Sequence, residues 1–333
     1  MTGSVTRPAE GPASSTDRRT ELRRILVIKL GALGDVVQAT GPFAAIRRHH
    51  AGAHITLLTT KPFADFLRES GYFDEVWVDP RRPLWDLGAL SGLRRRMRAA
   101  HFDRVYDLQT SGRSSFYFRL IGPGVRPEWS GIAQGCSHPH RNPGRDAMHT
   151  IERQAEQLAD AGIASTPLPD VSWVHTESHR SDMARPYVLF VPGGSLHRPE
   201  KRWPAERYAE LARRLSERGM ETVLLGTANE GPVMERIRRC APAVHDLTGR
   251  TSFADIVGLA RDAAGAVGND TGPMHLIAAA GCPSTVLFSN ASDPGLCAPR
   301  AAKSAQPVTI LRRPSLADLG VDEVDAALQL RDP

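Results

Sequence analysis

The chain has 333 residues, 41% of them apolar, and Lys plus Arg outnumber Asp plus Glu by 42 to 37 for a net charge of +5. That length suits two domains of ordinary size, and no run approaches the ~18 apolar residues of a membrane span. Aromatic residues make up only 6% and no zinc or base-stacking motif is present, which argues against nucleic acid; the basic balance favours anionic partners such as nucleotides, phosphorylated glycolipids or an anionic membrane surface.

Residues 1–20 lack the apolar core of a secretory signal, and their Gly, Pro, Ser and Thr content predicts a disordered tail over 1–21. An apolar run at 25–30 reads as a buried parallel strand. It is followed by the glycine turn GALGD (31–35) and by helical apolar spacing over 36–48. A β-α rhythm then continues with strands at 54–60, 74–79 and 102–109 and helices at 61–71 and 87–100, which implies a doubly wound parallel sheet. Residues 121–150, rich in Gly, Pro, His and Arg, read as an irregular excursion, and 150–162 as a helix ending at a glycine. The pattern breaks before 186. A second series follows, with strands at 187–193, 221–226, 265–269 and 284–288 and helices at 204–219, 230–239, 252–263, 274–281 and 321–330. The expected organisation is a first domain over 22–170, a linker over 171–186 and a second domain over 187–333, its final helix returning to the first. Cys136, Cys240, Cys282 and Cys297 have no CxxC spacing and suit scattered reduced thiols, not a disulfide framework or a zinc site.

Candidate chemistry lies at the strand-to-helix corners, where ligands bind in open α/β sheets. In GALGD the spacing is GxxG, not the dinucleotide fingerprint GxGxxG. Asp35 is either a helix cap or a base able to accept a proton from an attacking hydroxyl. The turn PGGS (192–195), with Lys201 and Arg202 after it, suits a phosphate but is not a Walker A loop; the plainer alternative is a solvated loop. NDTGPMH (269–275) opens a helix at Thr271, Gly272 and Pro273. Its N–H groups form a ready anion site, or simply a well-capped structural helix. His275 reads equally as a packed residue or a ligand contact. Arg94, Arg95, Arg96 and Arg98 could hold phosphate but more often such a run is a solvated helix face. Arg113 is the better candidate, because its loop follows a parallel strand. No GxSxG elbow and no suggestively placed Cys support a covalent nucleophile, and no His/Asp/Glu group has metal-site spacing.

Together, ILVIKLGALGDVVQATGPFAAIRRHHAGAHITLLT (25–59), VPGGSLHRPEKRWPAERYAELARRL (191–215) and VGNDTGPMHLIAAAGCPSTVLF (267–288) resemble glycosyltransferase family 9, the ADP-heptose:lipopolysaccharide heptosyltransferases. The resemblance implies a GT-B fold: α/β, with two Rossmann-like domains facing each other across a cleft. The first would bind acceptor and the second the nucleotide sugar. It implies inverting transfer of heptose from ADP-heptose to the inner core of lipopolysaccharide in a single displacement, with no metal and no cofactor. Asp35 matches the family's catalytic aspartate, Lys201 its phosphate-binding lysine, and Asp270, Thr271 and Gly272 its diphosphate turn. Glu230 matches its ribose-contacting acid more loosely. Gly193, Gly194, Ser195 and His275 fall on the donor side, Gly34 and Arg113 on the acceptor side. The expected setting is cytoplasmic, with peripheral contact to the inner membrane.

The chain departs from the family pattern at KRWP, where Arg202 separates Lys201 from the Trp-Pro pair, and at 287–299, which lacks a G-x-T ending. Residues 121–150 match nothing assignable. Two alternatives stand beside the main expectation: a relative acting on another acceptor, such as a protein or a different glycan, and a nucleotide-sugar-binding protein without turnover.

Overall fold

The computed structural model describes residues 23–122, 124, 126–176, 186–194, 198–300 and 307–331. The expected tail, Ser195 and most of the expected linker lie outside the described residues. The apolar run after Arg23 forms β1 (Arg24–Ile28), four of whose five side chains are buried. In chain order follow α1 (Leu33–Gln38), α2 (Thr40–His49), β2 (His54–Thr59), α3 (Lys61–Arg68), β3 (Glu75–Val78), α4 (Leu87–Ala99), β4 (Arg104–Asp107), α5 (Gly112–Ile121), β5 (Glu128–Gly131), β6 (His138–Pro139) and α6 (Thr150–Asp160). The second half contains β7 (Tyr187–Val191), α7 (Ala205–Glu217), β8 (Glu221–Leu224), α8 (Gly231–Cys240), β9 (His245–Asp246), α9 (Phe253–Asp262), β10 (Gly265–Asn269), α10 (Gly272–Ala279), β11 (Ser284–Phe288), α11 (Pro294–Cys297), β12 (Val308–Arg312) and α12 (Val321–Ala327).

Each half is one six-stranded sheet, ordered β3-β2-β1-β4-β5-β6 and β12-β11-β10-β7-β8-β9, and every strand pair is parallel. Parallel strands are covered on both faces by their crossover helices, which is why β1, β7, β10 and β11 are largely free of charged residues and buried along most of their length. Strand order reverses between β1 and β4 in the first sheet and between β7 and β10 in the second. A crevice opens at the carboxyl ends of such a pair. GALGD follows β1, PGG follows β7, and Asp270 follows β10, so both switch points carry candidate residues.

The 121–150 region is not an irregular excursion. It supplies β5 and β6, the last two strands of the first sheet. EWSG and HP carry little apolar signal, and β5 is held by pairing to β4 through Glu128 N–H to Asp103 O, 2.8 Å. β9 and β12 were likewise not anticipated. The final helix, looked for against the first half, buries Val321 and Val324 in the second half's own core with Trp203, Tyr208 and Leu215.

The halves are joined by packing as well as by chain. Phe63 on α3 stacks on Phe253 of α9 at 5.9 Å between ring centroids, and Phe66 meets Phe253 edge-on at 5.5 Å. The N-terminus of α1 abuts that of α10 so closely that a Cβ on Gly272 would lie 2.7 Å from Leu33 Cβ. No helix among the described residues is long and apolar enough to cross a membrane.

Candidate active site

The first wall is the corner after β1. Leu30 N–H donates to Gln109 Oε1 at 2.8 Å, tying this corner to the one after β4. Gly31 adopts φ +129°, and a side chain there would meet the Phe63 ring at 2.8 Å, so this turn needs glycine on both counts. The helix begins at Leu33, inside the expected turn. Asp35 is therefore the third helical residue, not the N-cap, and its Oδ2 accepts the Ala32 N–H at 3.1 Å. One carboxylate oxygen serves that back-capping bond, and the side chain is half-buried.

Behind Asp35 is a residue sequence reasoning passed over. Lys29 is buried, and its Nζ donates to Leu108 O at 3.1 Å. Burial pushes its ammonium below the usual lysine range, with the Asp35 charge as the first counterweight and Arg153 acting with burial. Arg153, in the second turn of α6, is likewise lowered by burial and by Arg145, and raised by Asp146 and Asp35. Asp35 thus lies in the field of two cations from its own half. A lysine just past an apolar strand gives no sequence signal of that kind.

The second wall is assembled by Asn269, which in the sequence is only the first residue of NDTGPMH. Its side chain is 0% exposed. Nδ2 donates to Pro192 O at 2.9 Å and Gly193 O at 3.0 Å. Oδ1 accepts from Trp203 N–H at 3.0 Å and Tyr208 O–H at 3.1 Å. One amide therefore fixes the PGG turn, the KRWP segment and α7 to the end of β10. Gly194 N–H, a candidate phosphate donor, instead donates to Glu230 Oε1 at 2.6 Å. Glu230 Oε2 accepts from Thr227 N–H at 2.7 Å and Thr227 O–H at 3.0 Å. A side chain at Gly193 would displace the Glu230 carboxylate, since a Cβ would stand 1.8 Å from Glu230 Oε1.

Lys201 Nζ is 2.7 Å from Asp270 Oδ2, with side-chain exposures of 14% and 8%, and Ser292 O–H donates to the same oxygen at 2.7 Å. The lysine is held at the turn by this carboxylate. Thr271 is the N-cap of α10, and its buried hydroxyl has no partner.

Both walls contribute to one cleft of about 630 Å³, lined by Ala32, Leu33 and Gly34 from the first half and Gly194, Lys201, Glu230, Asp270, Thr271 and Gly272 from the second; Asp35 is next to Gly34 but is not itself a lining residue. Leu225, Phe253 and Ile256 give it an apolar end, and Arg198 adds a cation not anticipated from sequence. The helix N-termini of α1 and α10 meet there, so their free N–H groups and dipoles favour negative charge in the cleft.

His275 and Gly34 touch each other. A Cβ on Gly34 would lie 2.8 Å from His275 Cδ2, which makes Gly34 a point of close approach between the halves. Gln38 Nε2 donates to His275 Nδ1 at 3.1 Å, leaving Nε2 to carry the imidazole proton. Burial pushes this histidine down to about 4, against the pull of Asp270 and Asp35.

Arg113 does not line the cleft. Its Nε donates to Tyr117 O–H at 2.6 Å and its Nη2 to Arg82 O at 2.8 Å, with Asp79 3.5 Å away. Arg96 pairs with Glu75 at 3.2 Å and lies over the Trp77 ring, and Arg98 donates to Ile121 O at 2.8 Å. Among the described residues no group of three or more His, Cys, Asp or Glu could hold a metal ion.

The family model for glycosyltransferase family 9 (heptosyltransferase) matches residues 91–317. Lipooligosaccharide heptosyltransferase 2 of Haemophilus ducreyi is 36% identical over 293 residues, 79% of this chain and 82% of that one. Lipopolysaccharide heptosyltransferase 2 of Escherichia coli K12 is 25% identical over 292 residues, 81% of this chain and 83% of that one. Among solved structures, a family 9 glycosyl transferase of Veillonella parvula superposes with a TM-score of 0.78 at 21% identity, covering 93% of this chain and 98% of that one. The E. coli ADP-heptose LPS heptosyltransferase II does so with 0.76 at 23% identity, covering 91% and 97%. The two sheets facing one cleft are therefore the GT-B fold, and the chain belongs to glycosyltransferase family 9, the heptosyltransferase family.

Proposed function

We propose that this protein is an inverting, metal-independent glycosyltransferase that moves heptose from ADP-heptose to an inner-core sugar of lipopolysaccharide. The observation that carries the reading is the convergence, in one cleft, of the turn at Ala32, Leu33 and Gly34, next to Asp35, with the Lys201–Asp270 pair and the N-terminus of α10. Relatives named as lipopolysaccharide heptosyltransferases support the donor and acceptor class.

In this reading residues 22–170 form the acceptor-binding unit, joined through 171–186 to a donor-binding unit over 187–333. The adenine occupies the apolar end at Leu225, Phe253 and Ile256. Glu230 accepts from the ribose, exchanging bonds it now makes to Gly194 and Thr227. The diphosphate takes the N-terminus of α10 at Thr271 and Gly272, and Lys201 swings from Asp270 to it. An acceptor hydroxyl then attacks the anomeric carbon from the face opposite the diphosphate. The new C–O bond forms as the bond to phosphate breaks, configuration inverts, and Asp35 takes the hydroxyl proton. Charge growing on ADP is met by Lys201, Arg198 and the helix N-terminus. His275, with its proton on Nε2, donates a neutral hydrogen bond near the Gly34 approach. The setting that fits is the cytoplasmic face of the inner membrane, as a peripheral protein.

A donor screen read by mass spectrometry, with truncated lipopolysaccharide as acceptor, tests this. Heptosyl transfer from ADP-heptose with inversion is expected. Transfer only from another nucleotide sugar, or only to a protein or another glycan, would replace the substrate assignment. Donor binding without turnover on any acceptor would overturn the enzymatic reading.

A further inference from the structure

The large apolar side chains left exposed among the described residues include Val78 and Leu84, at 40 and 39%, and Trp85 and Leu87, at 83 and 77%. All four fall in the single stretch 78–87, between β3 and the start of α4. Scattered exposed apolar residues need no explanation, but a cluster with a tryptophan at its tip does. The stretch is built rather than loose. Asp86 N–H donates to Pro83 O at 3.0 Å, Asp86 Oδ1 caps α4 by accepting Ala89 N–H at 3.0 Å, and Arg82 O is held by Arg113.

Exposed arginines lie on both sides of the tip in the chain, at Arg81, Arg82, Arg94 and Arg95. On α4, Leu87, Ser91, Arg94, Arg95 and Arg98 share one face by their spacing, flanked by Leu90 and Met97, which are buried. Between Arg81 and Arg98 the only acidic residue is Asp86, which is used as the cap. Two copies meeting through this patch would bring like charges together in a two-fold contact, so self-association is disfavoured. Tryptophan among arginines is the composition that sits at a lipid–water boundary.

We propose that this segment docks the protein on an anionic lipid surface, with Leu84, Trp85 and Leu87 entering the headgroup–acyl boundary and Arg81, Arg82, Arg94 and Arg95 facing lipid phosphates. The patch follows β3, on the same carboxyl edge of the first sheet as the Asp35 corner after β1. With β2 between them, the two strands stand about 10 Å apart. Docking there brings the acceptor side of the cleft to the membrane. The proposal deepens the membrane-face reading above and rests on it only for what docking is for.

The test is co-sedimentation of the full chain with phosphatidylcholine vesicles, with and without phosphatidylglycerol. Binding to the anionic vesicles alone is expected, weakening steeply as salt shortens the Debye length from ~10 Å at 0.1 M. Trp85→Ser with Leu87→Ser should weaken it about tenfold or more. Arg94→Gln with Arg95→Gln should weaken it about fivefold per arginine and flatten the salt dependence. Because Trp77, Trp129 and Trp203 are buried and the half-buried Trp173 packs against Phe66 and Tyr72, quenching by brominated lipid should report chiefly Trp85 and drop sharply in Trp85→Phe. Turnover on a water-soluble acceptor fragment should be unchanged in the Trp85/Leu87 variant. Equal binding to neutral vesicles, no binding by a catalytically active wild type, or self-association that these variants abolish would each overturn the proposal. Vesicle binding without heptosyl transfer would overturn the proposed function and leave this docking surface standing.

Discussion

Replacing Asn269 by alanine removes the amide that joins three segments of the second wall. Pro192 O, Gly193 O, Trp203 N–H and Tyr208 O–H all lose their partner at a fully buried position. Each unsatisfied buried group costs about 1–3 kcal/mol, and water entering the vacated amide volume recovers part of this. The net expectation is a loss of about 3–5 kcal/mol in unfolding free energy. ADP affinity should fall more than stability alone requires, because the PGG turn and the Lys201 segment lose their common anchor. Asn269→Asp sharpens the test, because its shape is the same but an ionised carboxylate would face two carbonyl oxygens. Its folded pKa would be raised above the unfolded ~3.9. The folded state then holds the extra proton, so the variant's stability deficit should grow as pH rises from about 4 toward neutrality. Urea unfolding of both variants across pH, with ADP binding by calorimetry, reads these effects. An Asn269→Ala protein within about 1 kcal/mol of wild type and binding ADP normally would refute the anchor role.

Asp35→Asn keeps an acceptor for the Ala32 N–H but cannot take a proton; kcat should fall about 10²–10⁴-fold with ADP binding intact, measured by steady-state kinetics and calorimetry. Lys201→Met strands the Asp270 carboxylate at 8% exposure, so it should cost about 3 kcal/mol or more, part of which adding Asp270→Asn restores, whereas ADP affinity stays low in both. Burial lowers His50 and His275 to about 4 from an unfolded ~6.5. The unfolded chain therefore binds more protons between those values, and stability present above pH 6.5 is lost as pH falls toward 4; His275→Gln should reduce the fall in urea midpoint over that window. Gly272→Ala forces a methyl to 2.7 Å from Leu33 Cβ and should cost about 1–3 kcal/mol by overpacking, seen as a lower melting temperature.

The two parallel sheets were legible because β1, β7, β10 and β11 are short, mostly uncharged segments between amphipathic helices. β6 and β9 were not, since HP and HD have no burial pattern and are strands only by pairing to a neighbour. The same division runs through the site. GALGD, PGG and NDTG stood out because tight turns and helix starts need special residues locally. Lys29, Gln38 and Asn269 did not, because their roles come from partners in other elements: Leu108 for Lys29, His275 for Gln38 and Trp203 for Asn269.

Sequence alone determined which corners could meet a ligand, because backbone conformation at a turn is a local property of glycine, proline and capping residues. Only the tertiary structure decided how those corners face one another. It made Gly34 a contact with His275, closed Arg113 into a network with Asp79 and Tyr117, paired Lys201 with Asp270, and gave Asp35 both a capping bond and a place near the cleft. Those outcomes depend on distances between residues far apart in the chain, which packing of the two halves through α1 and α10 sets and no local pattern encodes.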